Sequence, residues 1–128
     1  MIKSINFSIK SMCLISSLAF ALSSCKHKTD FNNLTEVSYA TSIAPIIASN
    51  CAHSGCHGDT ATVNFNLTTY AGLSGGGISA GSPEKSKIYT VLKTLKAYKI
   101  MPKRPYNELS DKQIQLIYVW IGQGAKNN

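Results

Sequence analysis

Apolar residues recur at helical spacing in three segments of the chain, and no segment alternates between apolar and polar residues as a half-buried strand does. The first segment places four residues on one helical face, namely Tyr39, Ile43, Ile46 and Ile47. Ser42 is its predicted N-cap, and Pro45 is tolerated in the first turn because it needs no N–H there. A short helical turn over residues 69–73 and a run of three glycines at 75–77 follow.

Two further helices are predicted in the second half of the chain. Ser82 and Pro83 are expected to open one whose apolar residues are Ile88, Val91, Leu92 and Leu95. Ser110 and Gln113 form a capping box for the last helix, with Leu109 and Ile114 as a hydrophobic staple. Its buried stripe is Ile114, Ile117, Tyr118 and Ile121, and Gly122 or Gly124 ends it. The pattern predicts an all-α domain of three to four short helices.

The first 24 residues have the pattern of an export signal and are set aside from the fold. Lys3 and Lys10 form its positive region, and the apolar run at 12–22 is too short to span a membrane. The residues Leu22-Ser23-Ser24-Cys25 resemble the lipobox of bacterial lipoproteins, which implies cleavage before Cys25 and a lipid on its sulfur. The alternative is an ordinary secretory signal.

These assignments predict three regions: a lipoprotein signal peptide at 1–24, a lipidated polar tether at 25–38 and a folded domain at 39–128. The polar tether is expected to reach about 40 Å when extended. The mature protein is expected to be exported and lipid-anchored in the cell envelope, facing the periplasm or on the outer surface of the membrane.

The chain is basic, and loss of Lys3 and Lys10 with the signal lowers its formal charge from +7 to +5. Seven cations crowd one stretch: Lys85, Lys87, Lys93, Lys96, Lys99, Lys103 and Arg104. An exported protein meets no nucleic acid, so the expected partner is an acidic redox protein or an anionic membrane surface. The alternative is an ordinary solvated helix face.

The candidate chemistry lies in the sequence Cys51-Ala52-His53-Ser54-Gly55-Cys56-His57. It is a C-x4-C-H variant of the haem attachment motif C-x2-C-H. Two thiols form thioethers with the haem vinyl groups, and the histidine directly after the second cysteine ligates the iron. A domain of under a hundred residues has a poor core by itself, so it would profit from one large covalent haem c.

Residues 39–125 resemble class I cytochrome c domains, especially the planctomycete-type cytochrome c domain. The features that carry this resemblance are the isoleucine-rich helix, residues 51–58, residues 67–73, residues 82–86, the Met101-Pro102 pair and residues 120–125. It implies a small helical fold wrapped around one haem, an electron carrier with His57 as proximal ligand and Met101 as distal ligand. Met101 is also the only methionine left after the signal is removed.

Two other hypotheses remain at this point. One is a haem-based sensor or peroxide-reactive protein with a labile distal ligand. Met101 argues against it, because an iron that already has Met101 as its distal ligand has no place for a substrate. The other is an exported lipoprotein without haem, with a Cys51–Cys56 disulfide or a zinc site at His53 and His57. It does not explain why a histidine directly follows Cys56. His27 and His53 are expected to be solvated, and no catalytic group of an enzyme is found.

Overall fold

The computed structural model describes residues 29–60, 66–94 and 99–128, and these residues form helices and turns without a strand. Four α-helices are present among them: α1 (Ala44–Asn50), α2 (Tyr70–Gly75), α3 (Lys87–Lys93) and α4 (Asp111–Gly122). This confirms the all-α class. The predicted signal peptide, Cys25 and His27 lie outside the described residues. No helix within the described ranges is long and apolar enough to cross a membrane.

The first helical segment begins earlier than predicted. Ser38 is the N-cap, and its hydroxyl accepts a hydrogen bond from the backbone N–H of Thr41 at 3.3 Å. A π-helical turn, Tyr39–Ile43, then leads directly into α1, which carries Pro45 in its first turn. The prediction of Ser42 as N-cap is wrong, because the backbone at Ser38 is extended and the chain is already helical at Ser42.

The helix predicted to open at Ser82 and Pro83 is divided into two elements. Pro83–Lys85 forms a 3-10 turn, the backbone is extended at Ser86, and α3 begins at Lys87. Ser86 is fully buried, and its hydroxyl accepts from the N–H of Ser79 at 2.9 Å and lies 3.1 Å from the carbonyl oxygen of Ser82. These local bonds compete with a continuous helix and account for the break.

Helix α4 begins as the sequence predicts. The Ser110 hydroxyl accepts from the N–H of Gln113 at 3.3 Å, and the Gln113 side-chain oxygen accepts from the N–H of Ser110 at 2.9 Å. The helix ends at Gly122. Both halves of the predicted capping box are therefore confirmed.

The core lies between α4, α1, α2 and the segment before α2. Its buried apolar residues are Ile43, Ile46, Ile47, Leu67, Leu73, Leu109, Ile117, Trp120, Ile121 and Ala125. Trp120 is 1 % exposed, and its indole N–H donates to the carbonyl of Lys126 at 2.9 Å. The end of the chain also pairs with the first turn, where the N–H of Ala40 donates to the carbonyl of Asn128 at 2.9 Å.

Residues 29–38, the described part of the predicted tether, contact the domain. Phe31–Asn33 forms a 3-10 turn, and the N–H of Val37 donates to the side-chain oxygen of Gln123 at 2.9 Å. Much of this polar segment is thus attached to the end of α4.

Candidate cofactor site

The C-x4-C-H motif forms a tight turn that begins where α1 ends. The N–H of Cys51 donates to the carbonyl of Ile47 at 2.9 Å and terminates the helix. The carbonyl of His53 then accepts from the N–H groups of Cys56 at 3.0 Å and Gly58 at 2.9 Å. These bonds fold the chain back on itself, so that Cys56 and His57 lie within a closed turn.

The longer spacing between the two cysteines is accommodated by an exposed turn. The hydroxyl of Thr60 lies 2.6 Å from that of Ser54 and accepts from the N–H of Gly55 at 3.1 Å. Thr60 lies outside the motif and has no role in the sequence prediction, since nothing in a linear pattern shows that it closes this turn.

Gly58 fits where no other residue can lie without rearrangement. It is buried, and a Cβ atom there would come within 2.8 Å of the carbonyl oxygens of Ala52 and His53. The residue before this glycine is His57, and its carbonyl accepts from the N–H of Leu67 at 2.7 Å. Since Leu67 belongs to the core, this bond ties the motif to the body of the domain.

Cys51 and Cys56 both carry free thiols. Cys51 packs against the core, and burial raises the pKa of its thiol to about 11. The thiol is therefore protonated near neutral pH. Thioether attachment of haem requires two free thiols. Within the described parts of the chain, no group of three or more His, Cys, Asp or Glu side chains is placed to hold a metal ion.

Met101 lies in the loop after α3, where it is half-buried, and its N–H donates to the carbonyl of Val91 at 3.1 Å. A cavity of about 1290 Å³ lies beside this loop, lined by Thr94, Ile100 and residues 102–108. The two neighbours of Met101 in the chain line the cavity. Met101 itself and the three residues Cys51, Cys56 and His57 are not among the lining residues.

One aromatic contact joins the motif to the Met101 loop. The rings of His53 and Tyr106 are stacked, with centroids 4.0 Å apart and planes at 7°. His53 was expected to be solvated, but this stacking leaves it half-buried, and its Nε2 atom is buried without a hydrogen-bond partner. Tyr106 lines the cavity, so the stacked pair places the motif next to it. The sequence gives no signal for this long-range contact.

The residues present fit a c-type haem. Two free thiols, the imidazole of His57 and the thioether of Met101 are the donor set of such a group. The buried, unpartnered Nε2 of His53 also lies where the two loops meet.

Comparisons of the chain with protein-family models, with curated proteins and with solved structures find no match. The case for a function therefore rests on the residues and geometry described above.

Proposed function

We propose that this protein is a lipid-anchored monohaem c-type cytochrome that carries electrons between redox proteins outside the cytoplasm. The observation that carries the proposal is the turn at 51–58, where two free thiols precede His57 and where His53 stacks on Tyr106 of the loop that follows Met101. Cys51 and Cys56 would hold the haem through thioethers, and His57 and Met101 would ligate its iron. When bound, the haem supplies a reversible one-electron couple.

The burial of Cys51 supports an attachment role. A thiol whose pKa is near 11 is about one-thousandth thiolate at pH 8, and the thiolate is the species that attacks disulfides. Cys51 is therefore slow to enter disulfides in an oxidising compartment.

Met101 gives the proposed site an electron-transfer character. Its thioether sulfur is a soft ligand, which favours iron(II) over iron(III) more than a second imidazole does. We expect a raised reduction potential and a filled sixth position, and hence no catalysis at the iron. The fold of the proposed cytochrome is a small class I cytochrome c domain.

The proposed partner is an acidic redox protein. Lys103 and Arg104 are exposed and follow Met101 by two and three positions, so positive charge lies close in the chain to the proposed distal ligand. Such charge raises the association rate more than the affinity, and salt weakens its effect. Electron transfer to an acidic partner should therefore slow as ionic strength rises.

Substitutions in the motif test the haem assignment. With a competent maturation system, Cys51→Ala should leave one thioether and a red-shifted reduced absorption band, whereas His57→Ala should largely prevent stable holoprotein. Asp59→Ala is a matched control because Asp59 is exposed in the same loop and supplies no proposed ligand. Normal holoprotein from His57→Ala would contradict the proposal.

The anchor is tested separately at Cys25. Cys25→Ala should abolish acylation and release the protein from membranes, because two or three acyl chains anchor far more firmly than the remaining basic surface. Mass spectrometry of the mature N-terminus that finds Cys25 unmodified, or a mature end elsewhere, would contradict this part.

A further inference from the structure

A stacked pair of rings joins the two loops that carry the proposed axial ligands. His57 closes the attachment motif, and Met101 lies in the loop before α4. The ring of His53, from the motif, lies parallel to the ring of Tyr106, from the Met101 loop, with centroids 4.0 Å apart and planes at 7°. This pair, here called the interloop clamp, is therefore a direct contact of protein with protein between the two loops.

The turn of the motif fixes the position of His53. Its backbone carbonyl accepts from the N–H groups of Cys56 at 3.0 Å and Gly58 at 2.9 Å. Gly55 turns the chain with a φ of 75°, a left-handed conformation that glycine adopts at little cost. The two residues by which C-x4-C-H exceeds C-x2-C-H thus form part of a defined turn. That turn presents the ring of His53 to Tyr106.

The Met101 loop is attached to the domain at three places. The N–H of Met101 donates to the carbonyl of Val91 in α3 at 3.1 Å. Leu109, at the other end of the loop, is 6 % exposed and belongs to the core. Between these two points, Tyr106 stacks on His53. The interloop clamp therefore holds the middle of a loop whose two ends are attached elsewhere.

The Nε2 atom of His53 offers a way to separate stacking from hydrogen bonding. This atom is buried and has no hydrogen-bond partner. A buried polar atom without a partner costs free energy, so Nε2 does not help to hold the ring in place. A phenylalanine at position 53 would keep a flat ring against Tyr106 and remove the unpaired atom.

We propose that His53 and Tyr106 are positioning residues that hold the Met101 loop closed and so limit the access of external ligands to the haem iron. This inference rests on the proposed haem site with Met101 as its distal ligand. An external ligand would bind only to molecules in which the loop has opened, so its apparent affinity is reduced by the fraction that is open. A contact made only in the closed loop lowers that fraction. The clamp thus favours an electron carrier over a protein that binds small molecules at iron.

Titration of the ferric holoprotein with imidazole tests the clamp. A stacked pair shifts the opening equilibrium about two- to tenfold. We expect His53→Ala to bind imidazole about fivefold more tightly than the wild type, and Tyr106→Ala about 30-fold, because the larger ring also loses buried area. His53→Phe should stay within about twofold of the wild type. Asp59→Ala is the matched control, because Asp59 is exposed in the same loop.

The double variant separates one shared contact from two independent effects. If the rings act through each other, loss of His53 has no further effect once Tyr106 is removed, and the double variant should match Tyr106→Ala within about twofold. Independent effects would multiply to about 150-fold and would overturn the proposal. Hydrogen exchange of the holoprotein gives a second measurement. The Tyr106 amide, which donates to the carbonyl of Lys103 at 3.1 Å, should exchange about fivefold faster in His53→Ala, with the amides of α4 unchanged.

The outcomes distinguish the clamp from the proposed function. Protein without covalent haem, or a Met101→Ala variant with unchanged imidazole affinity, would overturn the proposed site and the clamp with it. If Met101→Ala admits imidazole but His53→Ala and Tyr106→Ala bind it like the wild type, the clamp alone is overturned. The same holds if His53→Phe binds as tightly as His53→Ala. Tighter binding in both alanine variants, absent from His53→Phe and Asp59→Ala, supports the clamp.

Discussion

Tyr106→Ala should loosen the loop that carries Met101 and lines the cavity. The ring of Tyr106 stacks on His53 at 4.0 Å, and such pairs contribute about 0.5–1.5 kcal/mol beyond their buried area. The residue is 40 % exposed, so its partial burial adds about 1 kcal/mol. Loss of about 2 kcal/mol corresponds to an increase of about 30-fold in local opening of the loop.

Trypsin cleavage of the Lys103–Arg104 bond measures this opening in the apoprotein, so the assay does not depend on haem. Both residues are exposed within the loop, and the cleavage rate should follow the population of the open form. Tyr106→Phe keeps the ring and should cleave within about threefold of the wild-type rate, and cleavage after Lys126 should not change. The reasoning is refuted if Tyr106→Ala cleaves at the wild-type rate or if Tyr106→Phe cleaves as fast as Tyr106→Ala.

Three other substitutions test the site and the fold. Burial raises the pKa of the Cys51 thiol from 9.0 in the unfolded chain to about 11 in the folded one, so the free energy of unfolding is unaffected by this thiol below pH 9 and falls by up to about 3 kcal/mol as the pH rises through 11. Urea unfolding of apoprotein should show this loss, and Cys51→Ala should lack it. In the holoprotein, Met101→Ala should keep the covalent haem, lower its reduction potential and let imidazole or cyanide bind the iron. Met101→His should also lower the reduction potential but should still exclude these ligands. Redox titration and ligand-binding spectra of Met101→Ala that match those of the wild type would exclude Met101 as a ligand. Ser110→Ala should destabilise the protein by about 1 kcal/mol and lower Tm by about 4–8 °C in thermal melts, and an unchanged Tm would contradict the role of the capping box.

Local signals in the sequence were sufficient for the two ends of the last helix, although the predicted buried stripe omitted Trp120 and included Ile114 and Tyr118, which are only half-buried. The capping box at Ser110 and Gln113 depends on residues three positions apart, and the apolar stripe depends on helical spacing. Thr69 likewise caps α2 through a hydrogen bond from the N–H of Gly72 at 3.1 Å, near the predicted short turn. For these two helices the boundary is set by neighbours in the chain and the pattern predicted it, whereas the equally local cap at Ser38 was missed in favour of Ser42.

Contacts between distant residues were not predictable in this way. Gln123 binds residues 31–37 some 90 positions earlier, and Tyr106 stacks on His53 across 53 positions, yet no composition or spacing marks either pair. The break at Ser86 also escaped prediction, because a buried hydroxyl has to find Ser79 and Ser82 before it can compete with the helix. The motif at 51–57 was visible, whereas the turn that shapes it depends on Thr60 outside the motif.

The central claim is covalent haem on Cys51 and Cys56, and the intact mass of denatured wild-type protein tests it most directly. Protein made with a competent maturation system should gain the mass of one haem. The pigment should stay with the protein through acid-acetone extraction and show a c-type reduced spectrum. Haem-free protein with a Cys51–Cys56 disulfide would contradict the account.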